Sequence, residues 1–191
     1  MSEDARKITK ILGVDPGTNI VGYSVIELVG RDIRIMDIGV IKLDTKSSHQ
    51  TRLKEIFLQL QEVIETFLPE AMAIEAPFYG KNVQSMLKLG RAQGVAMAAG
   101  MTMGLDITEY PPKTIKQAVT GNGNAAKEQV ASMLSHLTGK PLGHVGLDAT
   151  DALAAAYCHY LKLNGPQLSA GKGSGGGWEK FLRDNPGRVA K

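Results

Sequence analysis

Three Val- and Ile-rich segments within the first 43 residues, each closed by turn-forming residues, constrain the fold of this chain more than any other feature. Ile8 to Val14 reads as a short apolar strand and is stopped by Asp15-Pro16-Gly17, where proline fixes φ and glycine frees it. Ile20 to Val29 and Ile33 to Leu43 are again β-prone, and Gly30-Arg31-Asp32 separates them, so they read as the next two strands of an antiparallel meander. A sheet with such apolar strands must be covered, and the rest of the chain supplies the cover.

From Arg52 to Phe67 the residues Leu53, Ile56, Phe57, Leu60, Val63, Ile64 and Phe67 recur at steps of three and four, which predicts a helix with one buried face. Pro69 ends it, and Ala71 to Glu75 reads as a short buried strand. Val83 to Met103 is predicted as a helix rich in small residues (Gly90, Gly94, Ala96, Ala98, Ala99), and a strand is expected near Asp106 to Glu109. A helix after Pro111-Pro112, a turn at Gly121-Asn122-Gly123-Asn124, and helices over Ala125 to Leu137 and Asp148 to Leu163 follow. Strands first, then strands alternating with helices, imply an α/β domain with a mixed five-stranded sheet flanked by helices.

Composition sets the outer bounds. With 191 residues, 43% of them hydrophobic, the chain supports one domain and an appendage rather than two large lobes. That domain is expected over residues 8–163, between a flexible N-terminus (1–7) and a basic tail (164–191) whose Gly171 to Gly177 stretch reads as a flexible linker. No apolar run reaches the roughly 18 residues of a membrane span, and the polar segment Ser2 to Lys7 lacks the apolar core of a signal peptide, so a cytoplasmic location is expected. The lone Cys158 reads as a small buried thiol. The net charge of +3 resides in the tail, yet Lys81 to Lys140 holds seven basic residues against three acidic ones, a local patch compatible with phosphate binding.

Asp15, Glu75, Asp148 and Asp151 carry the chemistry. Asp15 ends the first strand and Glu75 the fourth, so adjacent strands would put both on one sheet edge. Asp148 and Asp151 are three apart at the start of the last helix and share a face of it. Taken singly, an Asp before Pro-Gly serves as a turn residue and acids at a helix start serve its dipole. Glu75 resists such a reading, because it closes the apolar run Met72-Ala73-Ile74, where an unpaired charge is costly. Four converging carboxylates repel one another, and hard divalent cations bound by oxygen relieve this. Two such ions about 4 Å apart suit phosphodiester cleavage.

Over most of residues 8–163 the chain resembles the RuvC family of crossover-junction endonucleases. The resemblance rests on Gly13-Val14-Asp15-Pro16-Gly17, on Ala73-Ile74-Glu75 followed by Phe78 and Lys81-Asn82, and on the run from Leu87 to Val95. Lys116 to Gly121 and Asp148-Ala149-Thr150-Asp151-Ala152-Leu153-Ala154 complete it. It implies a ribonuclease-H-like fold and a homodimer that nicks two opposed strands of a four-way (Holliday) junction in recombination and repair, leaving 5′-phosphate and 3′-hydroxyl ends. It also implies magnesium, two ions per site with manganese as a substitute, held by the acids matching Asp15, Glu75, Asp148 and Asp151. A RuvA-RuvB branch-migration partner is implied in the same way.

The residues expected to hold DNA are less sharply marked. Phe78 sits with Tyr79 beside Glu75 in a Pro-Gly loop; it either caps the core or, as the resemblance implies, wedges against a base at the crossover. Lys116 and Lys127 flank the glycine-rich turn and match phosphate-contacting lysines of the family, while Lys81, Lys88, Arg91 and Lys113 are weaker candidates. The Gly90/Gly94 spacing suits close helix packing, either across a dimer contact or inside the domain. Two rival readings stand beside this one. An actin-like phosphotransferase shares the Asp15-Pro16-Gly17-Thr18 turn but needs a second lobe and no acid pair, and a non-catalytic junction-binding module needs no acids at all.

Overall fold

The structure is a computed structural model and describes residues 9–30, 32–77 and 82–164. The three leading segments form β1 (Lys10–Asp15), β2 (Ile20–Val29) and β3 (Asp32–Lys42), a meander with antiparallel pairing throughout. Their alternation of side chains continues into β4 (Ala71–Glu75), which pairs parallel with β1, and β5 (Asp106–Tyr110), which pairs parallel with β4. The strand order is β3-β2-β1-β4-β5, a mixed five-stranded sheet as expected from the sequence.

Each face of the sheet owns one core, because successive residues of a strand point to opposite sides. Leu12, Val14, Met72 and Ile74 pack beneath α1 (His49–Phe67) and α2 (Val83–Thr102), against Ile56, Leu60, Ile64 and Ala96. Ile11, Ile26 and Ala73 face the other way, toward α3 (Pro112–Thr120), α4 (Lys127–Thr138) and α5 (Leu147–Asn164), and meet Ile115, Val130, Leu134 and Leu153. Helix α1 begins three residues before the apolar periodicity does, because the Ser48 hydroxyl caps it by accepting from the Thr51 N–H at 3.1 Å. Left-handed Leu68 ends it.

Helix α5 lies closest to the sheet, and two glycines make that possible. A Cβ on Gly13 of β1 would stand 2.0 Å from the Ala152 carbonyl oxygen, and one on Gly22 of β2 would stand 1.9 Å from that of Asp148. Only bare backbone fits there. The matching face of α5 is built from Ala149, Ala152, Ala155 and Ala156, all essentially sequestered from solvent. Cys158 is buried on the same helix as a packed free thiol, as its sequence setting predicts. No helix among the described residues is long and apolar enough to cross a membrane. The expected N-terminal and C-terminal segments lie outside the described residues, apart from Asn164, which closes α5.

Candidate active site

Strand alternation decides where the acids point. Gly13 faces α5, so Asp15, two residues on, faces the same side. Ala73 pairs with Gly13, which carries Glu75 to the corresponding place at the end of β4. The close approach of α5 over Gly13 and Gly22 then lowers its first turn onto this edge, with Asp148 and Asp151 on the inner face. Ligand oxygens of Asp15, Asp148 and Asp151 all lie within 4.8 Å of one another. Glu75 stands beside this group, close enough for its charge to act on Asp15 and for that of Asp151 to act on it.

The electrostatics are those of a site short of positive charge. Burial, then the charges of Glu75 and Asp151, raises the Asp15 pKa to about 8 although Lys127 pulls it down. Burial and Asp151 raise Glu75 to about 7 against the pull of Lys127 and Lys116. Asp151 is raised as well, because desolvation outweighs its ion pair with the Lys127 ammonium. That ammonium is desolvated in turn, but the hydrogen bond to Asp151 and the charges of Asp151, Asp15 and Asp148 hold it above its usual range. One lysine therefore serves several acids and satisfies none fully. Converging carboxylate oxygens with this deficit fit a hard divalent cation, by donor chemistry and by charge.

The other sequence candidates divide three ways. Lys127, expected to flank the site and meet phosphate, reaches into the acid cluster from the first residue of α4. Lys116 on α3 is near enough to lower both Glu75 and Asp151. The turn between them is braced by Gln117, whose side chain donates to the Gly121 carbonyl at 2.7 Å and accepts from the Gly123 N–H at 3.0 Å; Gly121 adopts φ +75°. Arg91 lies on exposed surface of α2, away from this turn. Phe78, Tyr79 and Lys81 lie outside the described residues. Sequence reading missed Arg52, whose guanidinium Nη1 donates to the Thr18 carbonyl at 2.6 Å and to Asn19 Oδ1 at 2.7 Å, just past Asp15. Its offset of three from His49 was visible in the sequence, but nothing there linked α1 to the Asp15 loop.

With the site described, comparison with known proteins becomes specific. The family model of the crossover junction endodeoxyribonuclease RuvC matches residues 11–159, from β1 through α5. The chain belongs to the RuvC family. A RuvC of Porphyromonas gingivalis is 52% identical over 181 residues, spanning 94% of this chain and 96% of that protein, and one of Bacteroides fragilis is 50% identical over 181 residues, spanning 94% and 95%. The solved RuvC of Thermus thermophilus in complex with its Holliday junction substrate superposes with a TM-score of 0.76 at 30% identity, covering 81% of this chain and 94% of that one. The yeast mitochondrial Holliday junction resolvase Ydc2, at 14% identity and a TM-score of 0.60, shares the fold. The sheet is thus the ribonuclease-H-like one expected, and the chain is a crossover junction endodeoxyribonuclease that, like its family, uses a divalent metal. The phosphotransferase and non-catalytic readings fall away.

Proposed function

We propose that this RuvC-family chain resolves four-way DNA junctions as a homodimer, nicking two opposed strands with Asp15, Glu75, Asp148 and Asp151 as the catalytic, magnesium-holding residues. The convergence of Asp15, Asp148 and Asp151 oxygens within 4.8 Å, with Glu75 alongside, carries the reading. Magnesium, with manganese as substitute and two ions per site, would supply Lewis acidity toward the scissile phosphate and a water of lowered pKa. The chain's own residues do the rest. Asp15 and Glu75 come from adjacent strand ends and Asp148 and Asp151 from a helix seated on backbone, so the donor set is held rigidly. Lys116 and Lys127 stand at the same edge and would orient the phosphate, on either side of a turn that allows close backbone approach. The assay is cleavage of a four-way junction beside linear duplex, with magnesium and with chelator. Equal cutting of both DNAs would refute the structure-selective reading. Bacterial relatives support a cytoplasmic setting, and the RuvA-RuvB partnership follows the resemblance.

Helix α2 supports the dimer. Val83, Leu87, Gly90, Gly94 and Met101 recur at heptad-like spacing and are exposed, and a Cβ on Gly90 or Gly94 would meet nothing within 4 Å among the described residues. A twofold pair through this stripe would present two active sites to two opposed strands. Sedimentation should therefore show a dimer, and Leu87→Glu should shift it to monomer while leaving each domain folded. A wild type that sediments as a monomer, both free and on junction DNA, would sink the proposal.

The family resemblance supports Phe78, outside the described residues, as the proposed wedge at the crossover. Phe78→Ala should leave the melting temperature and junction affinity nearly unchanged yet slow cleavage by well over about tenfold, since a phosphate misplaced by about 1 Å costs on the order of a hundredfold. A junction with unpaired bases at the crossover should restore the rate. A core-capping Phe78 would give the opposite pattern, a loss of roughly 3 kcal/mol or more in stability.

A further inference from the structure

A second group of basic side chains lies across the sheet from Lys116 and Lys127. His49 and Arg52 are three apart in the first turns of α1, and Lys88 and Arg91 are three apart on α2, the helix that packs beside it. Arg52 is fastened by its Nη1 to Thr18 and Asn19, in the loop that leaves β1 directly after Asp15, so Arg52 borders the carboxylate edge from the α1/α2 side of the sheet, and the charges of Lys88 and Arg91 reach His49, one turn before it on α1. Lys116 and Lys127 border it from the α3/α4 side.

The group lacks compensation. Among the described residues the ion pairs are Arg34 with Glu27 and Lys127 with Asp151, so none of these four side chains meets a carboxylate. Among the described residues, both ring nitrogens of His49 and the Nε of Arg52 are shielded from solvent and have no hydrogen-bond partner. Their neighbours are felt at His49: desolvation, then Arg52, Arg91 and Lys88, keep its imidazole below the ordinary histidine range. The clustered charges of Arg52, Lys88 and Arg91, beside polar atoms left without partners, cost free energy in the free protein, and an anion would return it.

We infer that His49, Arg52, Lys88 and Arg91 form a phosphate-binding subsite for the DNA backbone on the far side of the carboxylates, so that the cleaved strand is held from both flanks. The inference rests on the junction-cutting reading of the site and adds a backbone path to it. The ligand is a phosphodiester rather than a base, since Arg52, Lys88 and Arg91 are cations that offer only N–H donors. Its occupant is the DNA that the neighbouring carboxylates cut, not a free anion.

Binding of a four-way junction by the metal-free full chain, measured against salt, tests this. Each phosphate contact contributes about 0.9 to the slope of log affinity against log salt. The double variant Lys88→Ala/Arg91→Ala should lose nearly two units of slope and about tenfold or more in affinity near 0.1 M salt, with its melting temperature and manganese binding unchanged. Arg52→Lys, which keeps a charge but not the guanidinium whose Nη1 bridges Thr18 and Asn19, should lose affinity less. Scanning the junction strands with neutral methylphosphonates should locate a phosphate whose neutralisation weakens the wild type but not the double variant. An unchanged slope, or the same methylphosphonate profile in both proteins, overturns the subsite. The wild-type preference for junction over linear duplex separately decides the parent reading, so either can fail while the other stands.

Discussion

Asp15→Asn should cut four-way junctions more slowly by on the order of a thousandfold or more and yet, without metal at pH 8, should melt higher than the wild type. The loss follows from removing a ligand to an ion worth several kcal/mol in the transition state, where about 1.4 kcal/mol is tenfold in rate. The gain in stability follows from the same acid crowding. In the folded metal-free protein Asp15 titrates at about 8 and Glu75 at about 7, against ordinary values of 3.8 and 4.5. Folded pKa values above the unfolded ones mean that the native state holds more protons between about pH 4 and pH 8. Stability is therefore greatest at the acidic end of that window, declines as pH rises through it, and levels off above the folded values.

A neutral amide removes much of that slope. The variant should gain a few kcal/mol at pH 8, a rise of roughly 5 to 10 °C for a chain of this size. Added magnesium or manganese should stabilise the wild type at pH 8 and do far less for the variant. Scanning calorimetry in chelator from pH 5 to 8 measures the slope directly. A wild type whose stability is flat or rises over that range contradicts the crowded-acid site, as does a variant that cleaves near the normal rate.

Together with alanine at Gly22, Gly13→Ala should be among the most damaging single-methyl changes at the described residues. Its Cβ would lie 2.0 Å from the Ala152 carbonyl oxygen and 2.9 Å from the Ala156 Cβ, so α5 must lift from the sheet or the strand must bend. Neither partner is a flexible side-chain end that can swing aside. Overpacking at a rigid contact costs roughly 3 kcal/mol, which lowers the melting temperature by about 10 °C. Metal binding should fall further than stability alone accounts for, because α5 carries Asp148 and Asp151 and any lift withdraws them from Asp15. Gly143→Ala, where an added Cβ meets nothing within 4 Å, is the matched control and should stay within about 0.5 kcal/mol of the wild type. Manganese titration of the folded variants separates lost geometry from lost fold. A Gly13→Ala protein with normal melting temperature and metal affinity would show that α5 is not seated on backbone.

Much of the fold was legible because it is local. β2 and β4 occupy Ile20–Val29 and Ala71–Glu75 as periodicity and turn residues predict, and the other elements differ only at their ends. Those ends moved for specific reasons. The Ser48 cap extends α1 backward to His49, and α4 begins at Lys127, two residues beyond the predicted Ala125, after a turn braced by Gln117. Ala125 is itself buried, which is why its apolar character read as helix.

The sequence by itself determined the elements, their order, and the four acids at strand ends and on one helix face, because hydrophobic period and turn chemistry report on each segment's own burial. The motif Gly13-Val14-Asp15-Pro16-Gly17 already contained the glycine that matters, but not what it faces. Tertiary structure alone decided that Gly13 and Gly22 lie under α5, that Asp15 meets Asp148 and Asp151 across more than 130 intervening residues, and that Lys127 reaches Asp151. It also set Arg52 against the loop behind Asp15. These facts depend on strand register and on how closely a helix can approach a sheet. Both are fixed by contacts between residues distant in the chain, which no local periodicity encodes.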